Sequence, residues 1–451
     1  MSWATQIPEE LTIIPRGLVC IANLDVRHDA VHRAIWDLFD SRKESSTSVL
    51  RYKLVDINEQ YPHCKAKRAT YEWYVPKGVI KTNWMNKHLN LVPSLVVIFF
   101  ELDWNDPLFQ EKQNEYKEKI DVVRTNLDNR ASVISVVLLQ NKDSFPTVDD
   151  LYSTERDQKA NTLCTYFDIT KRALCVLPVL PQPDNLHAWI DRLEQTFIEW
   201  SQNYYTNEIK RVKQHKETLN KLTHQLLHVR HQFKMGFFGE LKQDIPSAVK
   251  SYKSAYSYLT DNVRIHDTNI LEMKMVAGFL TYKICRISFD LSQPVEAINH
   301  FRRHSDIFKS KMGPVELSFE HKAWLSKQFQ IFADLFTRCP HAIQTQHPGF
   351  YYQEAAYQAM ARKQLAHTLC RGIEQSNYDP SEFLKSPEFY GQRPWRQHHQ
   401  SVEIADAQKE KEGIAALQNV EMYNLAEEYA SCKEYEKALK YVVRLLIMDA
   451  T

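Results

Sequence analysis

Glycine is scarce in this chain: ten residues in 451, and none between Gly78 and Gly236. Nucleotide-binding α/β folds need glycines just after the first strand, so that backbone N–H groups can approach the phosphates. Here the first strand-like run leads into Asn23-Leu24-Asp25-Val26-Arg27. The nearest imitation of a P-loop, Lys81-Thr82, would need glycine at 75 and 80 and has Val75 and Ile80. No nucleotide cofactor is expected. The eight cysteines, at 20, 64, 164, 175, 285, 339, 370 and 432, form no C-x-x-C pair. That spacing fits free thiols in a reducing compartment rather than a disulfide framework. No N-x-[ST] sequon occurs. Long apolar runs are also missing. The stretch Leu89–Phe100 covers 12 residues and includes Asn90, Pro93 and Ser94, against about 20 for a bilayer span. The N-terminus carries Glu9 and Glu10 and no basic start, unlike a signal peptide. With a formal net charge of +1 there is no global field to draw nucleic acid. The expected setting is cytosolic and soluble, with no nucleic-acid partner.

What is present changes character once along the chain. The first third alternates strand-like and helix-like segments. Gly17–Leu24, Leu50–Val55, Ser94–Leu102, Ser132–Leu139 and Ala173–Leu177 read as strands. Asp29–Phe39, Gln113–Leu127 and Leu151–Thr165 read as helices between them. The central strands are continuous apolar runs, as in parallel sheets covered on both faces. This predicts an α/β domain over residues 1–183, a mainly parallel three-layer sheet closed by Pro178, Pro181 and Pro183.

From Asp184 to Met235 there is neither glycine nor proline. Leu193, Phe197, Trp200, Tyr204 and Ile209 keep helical spacing, so one long helix or two continuous ones are expected. Helical blocks follow, broken at Pro246, Pro294, Gly313-Pro314 and Pro340. Gly236, Ala248, Tyr252 and Ala255 match the tetratricopeptide offsets, which put small residues where two helices cross. Ala426, Tyr429 and Ala438 match again, and Cys285, Ala297 and Phe301 fit loosely. An all-α, TPR-like solenoid over 184–374 is therefore expected, with an irregular bundle as the alternative. Residues 375–412 hold Pro380, Pro387, Gly391 and Pro394 and read as an irregular loop; 413–451 read as a terminal helical hairpin.

Chemistry is hard to find. His224, His228 and His231, preceded by Glu217, recur on one helix face, and histidines one turn apart can share a zinc ion. There is no H-E-x-x-H pattern, and a polar helix face accounts for the same spacing, so no metal is assigned. Glu101 and Asp103 share one face at a strand end, where α/β active sites lie, but such pairs are commonly turn or helix caps. Cys64 follows His63 on an extended segment, where neighbours point to opposite sides. No G-x-S-x-G occurs. No catalytic residue is assigned. Between Tyr205 and Lys234, seven Lys/Arg stand against two Glu. That run is either a solvated face or a weak peripheral contact to anionic membrane.

The aromatics are different. Trp73, Tyr74 and Trp84 flank a Pro-Lys-Gly turn, and Phe389-Tyr390 precede Gly391-Gln392-Arg393-Pro394-Trp395. Aromatics and arginine in irregular segments are favoured anchors at protein interfaces. Trp73, Tyr74, Trp84, Phe389, Tyr390, Arg393 and Trp395 are the interface candidates, with core packing under a loop as the competing explanation.

Several stretches carry a resemblance. YEWYVPKGVIKTNWMNKHLNLVPSLVVIFFELDW (71–104), LTHQLLHVRHQFKMGFFGELKQD (222–244), ELSFEHKAWLSKQFQIFADLF (316–336), AIQTQHPGFYYQEAAYQAMARKQLA (342–366) and FYGQRPWRQ (389–397) are long and idiosyncratic. Over about residues 18–415 the chain resembles the foie gras family, the eleventh subunits of the transport protein particle (TRAPP) vesicle-tethering complex. From Gly413 it departs from the family pattern: the helical region looks shortened and the β-rich C-terminal portion is absent, as in a short or truncated form. The resemblance implies a non-enzymatic subunit, peripheral to the Golgi and the ER–Golgi intermediate compartment. It implies a role in ER-to-Golgi transport and autophagy, with other TRAPP subunits as partners and Rab GTPases and transport vesicles as indirect ones. The exchange chemistry on Rab proteins would belong to the small core subunits. An independent enzyme, with a degenerate nucleotide or hydrolase site in the α/β domain, is the alternative.

Overall fold

A computed structural model describes residues 7–43, 48–64, 76–128, 130–141, 154–179, 183–263, 270–313, 318–339, 347–370 and 388–392. Five strands, β1 (Gly17–Ala22), β2 (Leu50–Val55), β3 (Leu95–Glu101), β4 (Val133–Asn141) and β5 (Leu174–Val179), form one sheet in the order β2-β1-β3-β4-β5. Every pairing is parallel. A short helix α1 (Glu9–Thr12) precedes the sheet. Helices α2 (Ala30–Asp40), α3 (Trp84–Asn86), α4 (Phe109–Asn126) and α5 (Thr154–Phe167) fall between strands. Asp29 starts α2 by accepting from the N–H groups of Val31 and His32 at 2.7 and 2.9 Å, the usual work of an N-cap carboxylate.

The two faces of the sheet are separately filled, because strand side chains alternate. Leu18, Cys20, Val96, Ile98, Val136 and Leu138 pack with Tyr116 and Ile120 of α4 and Leu163 and Phe167 of α5. On the other face Val19, Ile21, Val97 and Val137 meet Ile35 and Phe39 of α2. That face is completed by Leu186, Ile190, Leu193 and Phe197 of α6 (Pro183–Glu217). The expected three-layer α/β architecture is present.

Beyond the sheet the described chain is helical: α6, α7 (Gln225–Leu241), α8 (Ile245–Ser257), α9 (Ile270–Asp290), α10 (Pro294–Phe308), α11 (Ser318–Thr337) and α12 (Pro348–Cys370). They pack as successive hairpins, α7 on α8, α9 on α10 and α11 on α12, giving an all-α solenoid. Of the two arrangements expected for 184–235, the structure has two helices, separated between α6 and α7. Asn220 makes the break: its Oδ1 accepts from Leu222 N–H at 2.8 Å, an Asx turn that needs neither glycine nor proline. The repeat residues meet as the offsets require in the first hairpin, where a Cβ on Gly236 would lie 2.6 Å from the Tyr252 ring. In the second hairpin the Cys285 thiol lies 3.6 Å from Ala297 O. Ala426, Tyr429 and Ala438, with the rest of the terminal hairpin, lie outside the described residues.

A single buried carboxylate ties three of these helices. Glu240 of α7 accepts from the Tyr252 hydroxyl of α8 at 2.5 Å and sits 3.0 Å from Lys283 Nζ of α9. Arg286, one turn further along α9, also pairs with it. Burial pushes the Glu240 carboxyl up, but Lys283, Arg286 and the Tyr252 hydroxyl outweigh that and hold it below the ordinary range. The arrangement also decides what Gly236 can become. Alanine is favoured over glycine by about 1 kcal/mol in a helix interior, but the Tyr252 ring is anchored at its hydroxyl and cannot retreat. Overpacking costs about 1–3 kcal/mol. Gly236→Ala is therefore expected to lower the urea midpoint despite the better helix former, with an unchanged m-value; a raised midpoint would mean that the ring yields.

Candidate functional site: the junction around Phe389

The sheet and the solenoid meet where residues 77–85 run against α7 and α9. Val79, Ile80, Met85 and Leu89 belong to the same core cluster as Phe233 and Phe237 of α7 and Met273 and Val276 of α9. Polar groups clasp the backbone of this segment. Val79 N–H donates to Glu272 Oε1 at 2.5 Å. Arg230 Nε donates to Val79 O at 2.7 Å, and its other arm reaches Gly78 O. Two helices of the solenoid thus hold one loop of the α/β half by its own N–H and C=O groups.

Onto this loop comes a third piece, residues 388–392. Thr82 N–H donates to Glu388 O at 3.2 Å and Tyr390 N–H to Ile80 O at 3.0 Å, an antiparallel bridge that sets Lys81 opposite Phe389. The Tyr390 hydroxyl donates to Thr82 O at 2.7 Å, and its ring meets Phe279 of α9 edge-on at 5.0 Å. Phe389 is 3% exposed. Lys81 Nζ and the Arg230 guanidinium lie 5.2 and 5.6 Å from its ring centre, within cation–π range. Gly391 has φ +79°, and a Cβ there would lie 2.6 Å from Glu272 Cα. Only glycine fits that approach.

The interface candidates are thus placed as follows. Phe389 and Tyr390 turn their rings into this intrachain junction, where burial and hydrogen bonding already engage them. Trp84 is half-buried and packs edge-on against Phe237 and Phe238 at 5.4 and 5.6 Å, with Lys234 Nζ 5.3 Å from its ring. Trp73, Tyr74, Arg393 and Trp395 lie outside the described residues. Arg230 and Glu272 were not singled out from the sequence, where the local signs were isolated glycines at 78 and 391.

The remaining sequence candidates do not converge. His231 Nε2 lies 2.9 Å from His215 Nδ1, whereas His228 stacks on Tyr258 at 5.6 Å and His224 meets the Thr223 hydroxyl. The basic run is divided between two helices: Arg230 serves the clasp, Lys234 covers Trp84, and Arg211 pairs with Glu208.

At the carboxyl ends of β1 and β3, where the strand order reverses, lies a cavity of about 320 Å³ lined by Asp29, His32, Glu101, Asp103, Asp106 and Lys112. This switch point is where α/β folds bind ligands. Among the described residues Asp29, His32 and Glu101 form the one set of three donors that closes to within 4.8 Å. The set does not fit a metal ion. Asp25 N–H donates to His32 Nδ1 at 3.0 Å, which puts the ring proton on Nε2, facing Glu101 Oε1 at 3.3 Å. Asp29 is already spent as the cap of α2. The turn after β1 is made by Asn23 at φ +63°, and its side chain donates across to Phe99 O at 2.7 Å. No nucleophile stands beside a base here.

Two family models match the chain: the trafficking protein particle complex subunit 11 N-terminal domain over residues 72–161, and foie gras liver health family 1 over residues 269–421. Over residues 269–421 the chain is similar to the foie gras family. Similar proteins include those named trafficking protein particle complex subunit 11. The Gallus gallus and Homo sapiens proteins of that name are each 46% identical to it over 96% of this chain. The chain spans 41% of the length of each of these relatives.

The junction should be pH-sensitive through Glu272. Burial pushes its carboxyl up to about 7 from 4.5, against the pull of Val79 N–H, Arg230 and Gln392. The folded state therefore binds this proton more readily than the unfolded chain, so the contribution of Glu272 to stability falls as pH rises from about 4.5 to about 7 and is flat above that. Glu272→Gln keeps the acceptor for Val79 and removes the titration. Urea denaturation should show the variant gaining on the wild type by about 2–3 kcal/mol between pH 5 and pH 8; a constant difference would contradict the assignment.

Proposed function

We propose that the chain is a non-enzymatic subunit of a TRAPP-type vesicle-tethering complex, acting in ER-to-Golgi transport and autophagy as a scaffold for a Rab guanine-nucleotide-exchange assembly. The observation that carries this reading is the 46% identity over 96% of the chain to proteins named as subunit 11 of that particle. The architecture supports it. A helical solenoid continuous with an α/β domain presents extended surface, which is what stacked helical repeats offer to partners. The switch-point cavity supports it too, because the His32 ring is held between Asp25 N–H and Glu101, Asp29 caps α2, and the Asn23 amide donates to Phe99 O.

The decisive experiment is co-purification of this chain with the small core subunits of the particle. Stable recovery of a complex is expected, and its failure under conditions where the relatives assemble would sink the reading. Trp395 is the proposed anchor. Trp395→Ala should weaken recovery by roughly tenfold, the scale of a 1.4 kcal/mol loss, without moving the thermal midpoint. A parallel thermal-shift screen with nucleotides and divalent metals addresses the enzyme alternative. No stabilisation is expected; a reproducible rise with one compound would favour an independent enzyme.

A further inference from the structure

Cationic side chains gather around Trp84 and Phe389 at the junction. Arg230 and Lys234 lie one turn apart on α7, where side chains are neighbours. The Lys234 ammonium sits 5.3 Å from the centre of the Trp84 ring, and the Arg230 guanidinium 5.6 Å from that of Phe389. Lys81 is 5.2 Å from the centre of the same Phe389 ring. Lys87 adjoins His88, whose ring lies 4.7 Å from Trp84.

The acids of this surface are already engaged. Glu208 of α6 pairs with Arg211 at 2.5 Å, and Glu388 pairs with Lys81. Glu272 lies beneath, with its Oε1 on Val79 N–H and its carboxyl pushed up to about 7 by burial. Near neutral pH it is therefore only about half ionised. Arg230 donates to the carbonyl oxygens of Val79 and Gly78, which satisfies its hydrogens but not its charge. Among the described residues no carboxylate lies within 4.0 Å of Arg230 or Lys234. Burial, together with Arg230, Lys87 and Lys81, brings the Lys234 ammonium down to about 8 from 10.5, against the pull of Glu208. The aliphatic stem of Lys234 is enough to cover Trp84, and a like charge one turn away weakens a helix. The fold does not need this ammonium.

We propose that the patch docks an extended acidic segment of another protein, with a carboxylate between Lys234 and Arg230 and an apolar neighbour against Trp84. A carboxylate there makes charge-assisted hydrogen bonds and relieves the repulsion between the two cations. Lys81, Trp84, Lys87, Arg230 and Lys234 are each half-buried. They meet a side chain that reaches in, whereas a bilayer or a nucleic-acid backbone meets charges that protrude. The inference rests on the reading of the chain as a scaffold and adds the chemistry of one of its contacts.

The probe is a fluorescein-labelled synthetic peptide of Glu-Leu-Ser repeats, with Gln-Leu-Ser repeats as its neutral counterpart, added to the full chain. Fluorescence anisotropy should show the acidic peptide binding about tenfold or more tightly than the neutral one, and less tightly as salt rises. Lys234→Met keeps a stem over Trp84 and should abolish that preference without lowering the thermal midpoint. The bound acidic peptide should also shield Lys234 from acetic anhydride at pH 8, near its own titration, as read by mass spectrometry. If Lys234→Met unfolds the chain, that protection decides. Equal binding of the two peptides, an unchanged preference in Lys234→Met, or protection confined to other lysines would each overturn the proposal. So would tighter binding of phosphatidylserine vesicles or of a thymidine oligonucleotide at the same residues, which would assign the patch to a membrane or to nucleic acid. Failure here alongside successful co-purification removes this contact alone and leaves the tethering role standing.

Discussion

The helical half is organised around a carboxylate with no route to water. Glu240 is 2% exposed and Lys283 fully buried, so neither charge can be left alone. Breaking a buried pair by removing one member costs about 3–5 kcal/mol, mostly because the survivor stays buried and unpaired. Three consecutive helices must therefore bring a phenol, an ammonium and a guanidinium to one spot at the same time. That requirement fixes the rotation and height of α7, α8 and α9 against one another more tightly than their apolar faces alone could. Hydrophobic packing tolerates sliding; a charge network satisfied at a single register does not.

The first hairpin is the foundation on which the junction is laid. Arg230 lies on α7 ten residues before Glu240, and Glu272 on α9 eleven before Lys283. The same two helices that are locked at one end by the buried ion network hold Gly78 and Val79 at the other. The aromatic segment 388–392 then closes over the clasp by main-chain bonds and a buried ring. Order in the solenoid is in this way transmitted to a loop of the α/β half that has no regular structure of its own.

Much of this was legible in the residues. Leu50–Val55 reads as a strand with the same bounds that the structure shows, because Leu50, Tyr52 and Leu54 alternate with Arg51 and Lys53. The parallel sheet followed from continuous apolar runs separated by polar helices, and the hairpins from small residues opposite Tyr252. The break at Asn220 was not legible, because an Asx turn leaves no mark in hydrophobic periodicity. Nor was the junction. Val79 pairs with a residue 193 positions away, and Lys81 lies opposite one 308 positions away. No local pattern encodes such pairings. For Phe389 the sequence leaves an interface anchor and core packing under a loop both open, because glycine and proline surround it. It is the absence of a Cβ at Gly391 that lets its segment press against α9 and so takes the ring inside.

The 35-residue helix α6 carries one more implication. Its first half, through Phe197, completes the core under the sheet, while Tyr204 and Tyr205 of its second half enter the core of the solenoid. Ser201, between them, bonds Ser94 at the start of β3 at 2.9 Å. A bundle and a sheet that share one continuous rod have no place to flex between them: bending there would have to snap the rod or strip both tyrosines into water. Load applied at one end of such a body arrives at the other as displacement, the behaviour of a girder and not of a rope.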